Sequence, residues 1–248
     1  MTGFALKLIA IAAMLADHSG VMLGDYLSQD VYEAMRSVGR IAFPIFVFLL
    51  TEGCRHTSNM KRYLVRLGLF ALISEVPFDF LFANVGSRGG TVFLEFGYQN
   101  VFFTLFLGAL AVFWYQRMMK ENPAAFGNLL NLAALGAIIA AGGLLRSDYG
   151  PVGVAAIFFC YAARDKRRQA LLLSAVFLLF YLSDSTADGP MYSLKMICGT
   201  AVSIVCVLLY NGKRGRPLKW AFYAFYPAHL AALGLIYHYF LSLGPPAA

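Results

Sequence analysis

The feature that most constrains this chain is a series of apolar runs, many of them about as long as a bilayer is thick, separated by short polar segments. Nine can be read, at roughly residues 4–23, 37–54, 63–83, 99–116, 126–145, 150–163, 169–183, 191–210 and 219–241. Crossing a bilayer takes about 20 mainly apolar residues. A chain of 248 residues therefore has room for about ten such helices with short loops, and none for a separate soluble domain. Composition agrees, with 60% hydrophobic and 13% charged residues, against about 45–50% and 25% in soluble domains. This excludes a soluble enzyme, a disordered chain and a disulfide-stapled secreted module. The expected fold is all-α, a polytopic transmembrane helix bundle of about nine spans forming one domain over residues 1–248. Runs six and seven are short, which leaves tilted, re-entrant or wrongly cut segments open. The first run lacks a basic leader and holds Asp17 and His18, so no cleavable signal peptide is expected.

The net charge of +7 would suggest nucleic acid in a soluble protein. Here its distribution explains it. The segment after run two holds Arg55, Lys61, Arg62 and Arg66, and that after run four holds Arg117 and Lys120. After run six come Arg164, Lys166, Arg167 and Arg168, and after run eight Lys213, Arg214, Arg216 and Lys219. The alternate loops carry Arg36, Arg88 and Arg146 among the acids Asp25, Asp30, Glu33, Asp148, Asp184 and Asp188. Basic loops face the cytoplasm. The N-terminus is thus expected inside and the C-terminus outside, in a multi-pass protein of the cytoplasmic (inner) membrane that contacts lipid and binds no nucleic acid. Cys54, Cys160, Cys198 and Cys206 show neither metal-site nor disulfide spacing and read as small core residues; no metal is expected.

Ionisable side chains inside spans cost a few kcal/mol and mark function by default. Asp17 and His18 lie in run one, Arg40 in run two, Glu75 and Asp79 in run three, Lys195 in run eight and His229 in run nine. At 1.5 Å per residue, these groups share the middle and outer half of the bilayer, which favours one buried polar cavity. Arg40 can also be read as a residue reaching back to the headgroups. Glu75 and Asp79, four apart on one face, can instead pair with Arg40 or Lys195 and hold the bundle together. Glu52, His56 and His238 read as interfacial or loop residues.

Histidine is the side chain poised to move protons near neutral pH, so His18 is the candidate base, with a satisfied core histidine as the alternative reading. Its neighbour Asp17 points about 100° away on a helix, and a carboxylate from another helix, such as Glu75, would orient the ring better. Pro44, Pro77 and Pro227 are expected to interrupt runs two, three and nine, the last beside His229. The segment Arg55–Arg66 is the densest basic patch. It serves topology and anionic lipid, or offers a landing site for a phosphate-bearing cytosolic donor such as coenzyme A.

Several motifs resemble the TraX family. They are Ala16-Asp17-His18, Gly39-Arg40-Ile41-Ala42-Phe43-Pro44-Ile45-Phe46, Glu52-Gly53 before a basic loop, and Arg66-Leu67-Gly68 with Ser74-Glu75-Val76-Pro77-Phe78-Asp79. Gln99-Asn100-Val101-Phe102-Phe103-Thr104, Tyr149-Gly150 and Tyr223-Ala224-Phe225-Tyr226-Pro227-Ala228-His229 complete the pattern, whose order covers nearly the whole chain. That family is named for a conjugation protein that acetylates the N-terminus of pilin, and it is similar to the integral-membrane acyltransferases called acyltransferase family three. The resemblance implies an acetyl-CoA-dependent acyltransferase with His18 as general base and Arg40 as a site residue. Asp17 and His229 fit the family pattern too, and Glu75 and Asp79 fit a subgroup of it.

Acyl transfer needs a base within reach of the nucleophile and a donor for the developing oxyanion, which Arg40, Asn100 or Tyr149 could supply. The expected catalytic set is His18, Asp17, Arg40 and Glu75. The acceptor-binding set is Asp79, Asn100, Tyr149, Lys195 and His229. Arg55, Lys61, Arg62 and Arg66 would hold acetyl-CoA. The acceptor, a peptide, glycan or small molecule, would arrive from the membrane or the outer side. A proton-coupled small-solute transporter is the competing function, since intramembrane Asp, His, Glu and Lys also suit a proton relay; a structural subunit is a third.

Overall fold

The computed structural model describes residues 1–85, 91–121, 128–188 and 190–241, with backbone alone for 121, 183–188, 190 and 241. Arg88 lies outside the described residues, as do the side chains of Asp184 and Asp188. Among the described residues, ten α-helices follow one another: α1 Gly3–Met22, α2 Gln29–Gly39, α3 Ala42–His56, α4 Met60–Phe82, α5 Val101–Glu121, α6 Leu129–Leu144, α7 Gly150–Ala162, α8 Lys166–Asp188, α9 Pro190–Leu208 and α10 Lys219–Ile236. A π-helical turn, Tyr237–Leu241, prolongs α10. Among the described residues the only β pairing is one isolated bridge between Gln99 and Ser147.

The all-α expectation holds, with corrections at the breaks. Run two is two helices, and the break falls at Arg40–Ile41 rather than at Pro44. Pro44 sits in the first turn of α3, where no helical partner for its missing N–H is needed. Pro77 and Pro227 lie inside α4 and α10, which run on past them, so neither proline ends its helix. Run seven is only part of its helix: α8 has 23 residues and begins in the basic segment at Lys166. α7, by contrast, is short at 13 residues.

Among the described residues, four helical segments are long and apolar enough to cross a membrane by themselves: Gly3–Met22, Gln29–His56 (α2 and α3 together), Val101–Lys120 and Met191–Leu208. α4 and α8 have the length but carry several charged residues, and α6 and α7 are apolar but shorter. Large apolar side chains stand exposed along helices, among them Leu72, Leu144, Leu171 and Leu179. An outward apolar face is what lipid selects, whereas water selects an amphipathic helix. The chain is a membrane protein.

Contacts divide the chain into two compact units. The first comprises Met1–Phe46, Ile73–Glu95 and Ser174–Ala248, and its core holds Leu6, Ile45, Leu81, Phe177, Met196 and Leu230. The second comprises Val47–Leu72 and Phe96–Leu173, and packs around Phe48, Leu67, Val112, Ile157 and Leu173.

Candidate functional site

All seven intramembrane charged or titratable residues singled out in the sequence, Asp17, His18, Arg40, Glu75, Asp79, Lys195 and His229, belong to the first unit. His18 meets His229, Asp17 meets Arg40 and Arg36, and Lys195 meets Glu33 and Asp30.

The central cluster is an imidazole pair. His18 on α1 and His229 on α10 lie edge to edge in nearly one plane, with ring centroids 5.0 Å apart and planes 11° from parallel. His18 Nδ1 lies 2.8 Å from His229 Nε2. Phe225, one turn earlier on α10, stacks on His229 at 4.8 Å, and Phe82 at the end of α4 meets the His18 ring edge-on at 5.2 Å. His229 is buried, and Tyr226 packs beside it. His229 Nδ1 lies 2.9 Å from the Phe225 carbonyl oxygen. A carbonyl only accepts, so Nδ1 of His229 carries the hydrogen and donates. In neutral His229, Nε2 is then an acceptor, and the hydrogen of the imidazole–imidazole bond belongs to His18 Nδ1. This leaves His18 Nε2 as an unprotonated lone pair with no other hydrogen bond among the described residues. The expected carboxylate orienter, Glu75, is replaced in this role by His229.

Asp17 serves a different neighbour. Its two carboxylate oxygens take Arg36 Nη1 and Arg40 Nη2, each at 2.9 Å, and Arg40 Nε donates to the Arg36 carbonyl at 3.2 Å. Because consecutive residues diverge by about 100° on a helix, α1 presents Asp17 to α2 and His18 to α10. Two glycines allow the close packing here. A Cβ on Gly39 would lie 2.2 Å from Asp17 Oδ1, and one on Gly199 of α9 would lie 1.9 Å from the Ser37 carbonyl oxygen.

The remaining residues of this unit are engaged locally. Lys195 pairs with Glu33 at 2.6 Å and Asp30 at 3.7 Å, and its carbonyl accepts from Ser37 Oγ. It therefore fastens α9 to α2. Asp79 meets no cation among the described residues: its Oδ2 accepts the Glu95 amide at 2.7 Å. Asn84 reinforces this strap, exchanging two hydrogen bonds with the Val92 backbone. Glu75 is buried.

Of the expected residues in the second unit, Arg55, Asn100 and Tyr149 take part in its own structure. Arg55 donates to the carbonyls of Tyr161 and Ala163 and pairs with Glu52, so it caps the C-terminus of α7, as a cation should. Asn100 is fully buried, with Nδ2 on the Ala71 carbonyl and Oδ1 on the Phe102 amide. Tyr149, in the left-handed conformation at φ 61°, starts α7. Arg66 lies over the Tyr63 ring, while Lys61 and Arg62 are exposed.

Sequence reasoning missed Arg36, Phe225 and Gly199. Arg36 was legible in principle, since it stands four residues before Arg40 and so shares its face. Among the described residues, no cluster of His, Cys, Asp and Glu could hold a metal.

Comparison with known proteins gives three findings. A family model described as TraX protein matches residues 2–237. A Dichelobacter nodosus protein, "Probable fimbrial assembly protein FimC, serogroup H1", is 32% identical over 243 residues, 94% of each chain. No solved structure matches.

Proposed function

Because this chain belongs to the TraX family, we propose that it is an acyltransferase of the cytoplasmic membrane. It moves an acetyl group from acetyl-CoA to an amine or hydroxyl that reaches it from the membrane or the outer side. One observation carries the reading: the relay from the Phe225 carbonyl through His229 to His18, which fixes the tautomer that leaves His18 Nε2 as a base. The acceptor's lone pair attacks the thioester carbonyl while His18 Nε2 takes the acceptor's proton. The C–S bond then breaks and the proton passes from His18 to the departing thiolate, so the base is regenerated. During the step the His18 cation donates its Nδ1–H to His229 Nε2.

The name of the Dichelobacter relative, a probable fimbrial assembly protein, makes the N-terminal amine of a pilus subunit the first acceptor to try. The alternation of basic loops supports an N-terminus inside, with donor and acceptor reaching the site from opposite faces.

The test is transfer of radiolabelled acetyl from acetyl-CoA by the protein purified in detergent, with water or a pilin peptide as acceptor. His18→Ala is expected to lower the rate by roughly 100-fold or more without changing Tm. A wild-type protein that neither binds coenzyme A nor turns over acetyl-CoA would sink the reading, and coenzyme A-independent proton flux would replace it with transport.

A further inference from the structure

We infer that the phosphates of the acyl donor dock on the loop between α9 and α10, at Lys213, Arg214 and Arg216, and on the neighbouring Lys7 of α1, and not on the Arg55–Arg66 segment. The inference rests on the acyltransferase reading above and names where its donor is held.

Four observations converge. First, this loop lies at the start of both helices that carry the imidazole pair. Gly3 N donates to the Lys213 carbonyl at 2.8 Å and Phe4 N to the Arg214 carbonyl at 3.0 Å. Loop carbonyls thus satisfy the open N–H groups of α1, and α10 begins shortly beyond Arg216, at Lys219.

Second, the loop backbone has a defined shape. Gly212 and Gly215 take φ of +77° and +75°. At Gly215 a Cβ would also lie 2.7 Å from Phe4 Cβ, so glycine is required twice over there. The loop is seated on α1, and its cations project from a fixed base.

Third, the cations are unneutralised. Lys213, Arg214 and Arg216 are exposed and make no ion pair among the described residues. Lys7 is only partly exposed. It lies over the Phe222 ring at 4.9 Å and close enough to Arg214 for the two charges to repel. Cations gathered without a carboxylate favour a polyanion, and arginine among them suits phosphate oxygens. By contrast, Arg55 in the other segment is committed to the carbonyls at the end of α7.

Fourth, the depth fits. Lys7 and His18 are eleven residues apart on α1, about 17 Å, and Lys219 and His229 are ten apart on α10, about 15 Å. The pantetheine arm runs through roughly twelve backbone bonds from diphosphate to sulfur. At about 3.5 Å per three bonds it extends about 14 Å. With flexible cationic side chains at the top, a thioester held by its phosphates at this loop reaches the level of the imidazole pair.

Anionic lipid headgroups of the inner leaflet share this phosphate chemistry, so the experiment separates the two. Coenzyme A affinity is measured by calorimetry on the full-length protein in detergent. The variants are Lys213→Ala/Arg214→Ala/Arg216→Ala, Lys61→Ala/Arg62→Ala, and Arg167→Ala/Arg168→Ala as a control for lost cytoplasmic charge. Binding to phosphatidylglycerol-containing nanodiscs is followed in parallel. The loop triple variant should weaken coenzyme A binding at least tenfold, flatten its salt dependence, and weaken 3′-dephospho-coenzyme A less. The other two variants should bind as wild type. A triple variant that keeps wild-type coenzyme A affinity overturns the inference, whether or not it loses lipid, and leaves the acyltransferase reading intact. Loss of affinity in Lys61→Ala/Arg62→Ala alone overturns it in favour of the first loop. Absence of coenzyme A binding in the wild type removes the acyltransferase reading itself.

Discussion

At the scale of single residues, the informative distinction is between Asp17 and His18. They are adjacent in sequence yet serve different helices, and the 100° turn between them follows from helical geometry alone. His18's partner does not. A carboxylate was the natural guess, and the partner is a second histidine 211 residues away, a pairing that no spacing rule supplies. The relay makes a sharp prediction. His229→Phe retains the stack on Phe225 but removes the acceptor that holds His18 Nδ1–H. It should lower acetyl transfer by about 100-fold with little change in Tm, and His229→Gln, which can still accept, should recover part of that loss. Equal rates in the Phe and Gln variants would show that the ring's hydrogen bond is immaterial. Asp17 behaves otherwise. Asp17→Asn leaves two guanidinium groups in a largely buried place with a weaker partner, at a cost of about 2 kcal/mol. The loss should shrink in an Arg40→Met background, and a thermal-unfolding double-mutant cycle would read the coupling.

Among the elements, the apolar helices were legible and the polar one was not. The run at 37–54 carries the hydropathy signal, but the polypeptide is already helical from Gln29. Residues 29–36 hold two acids and an arginine, and their helix is fixed by partners distant in sequence: Lys195 on Glu33, and Asp17 on Arg36. Such tertiary support is invisible to a hydropathy window. The prolines misled for a related reason. Pro44 needs no helical partner in a first turn, and α4 and α10 continue through theirs. What seats α2 between α1 and α9 is the absence of side chains at Gly39 and Gly199. Gly199→Ala would drive a Cβ into the Ser37 carbonyl, which as backbone cannot swing aside. It should destabilise the protein by about 3 kcal/mol and reduce activity by displacing Arg40. Gly136→Ala on α6 meets nothing within 4 Å and should be neutral or slightly stabilising. If both variants melt like wild type, close approach at Gly199 is not what seats α2.

For the whole molecule, the question is how many crossings the ten described helices make. Length alone accounts for four segments, whereas the alternation of basic loops implies nine. Ties inside each unit bear on this, because each joins segments that charge places on one side. Gly3 and Phe4 bond Lys213 and Arg214, both cytoplasmic by charge, and Glu33 bonds Lys195 on the opposite side. The short α7 is held at both ends. Gln99, just before α5, exchanges backbone bonds with Arg146 and Asp148 ahead of α7, and Arg55, near the end of α3, caps the other end. Thirteen residues rise only about 20 Å, less than the roughly 30 Å of a hydrocarbon core. The helix nonetheless joins segments that the charge pattern assigns to opposite sides, which fits a crossing in which the flanking turns complete the distance. If α6 and α7 instead dipped in and returned, the sidedness of every other loop would be unchanged, because such a hairpin adds two crossings or none. Charge alternation therefore cannot decide the matter, and labelling can. In a variant with all four cysteines replaced by serine, Asp25→Cys and Leu145→Cys should react with an impermeant maleimide on intact cells, and Arg167→Cys and Lys213→Cys only after permeabilisation. Leu145→Cys and Arg167→Cys reacting from the same side would turn α6 and α7 into a re-entrant pair and reduce the count to seven.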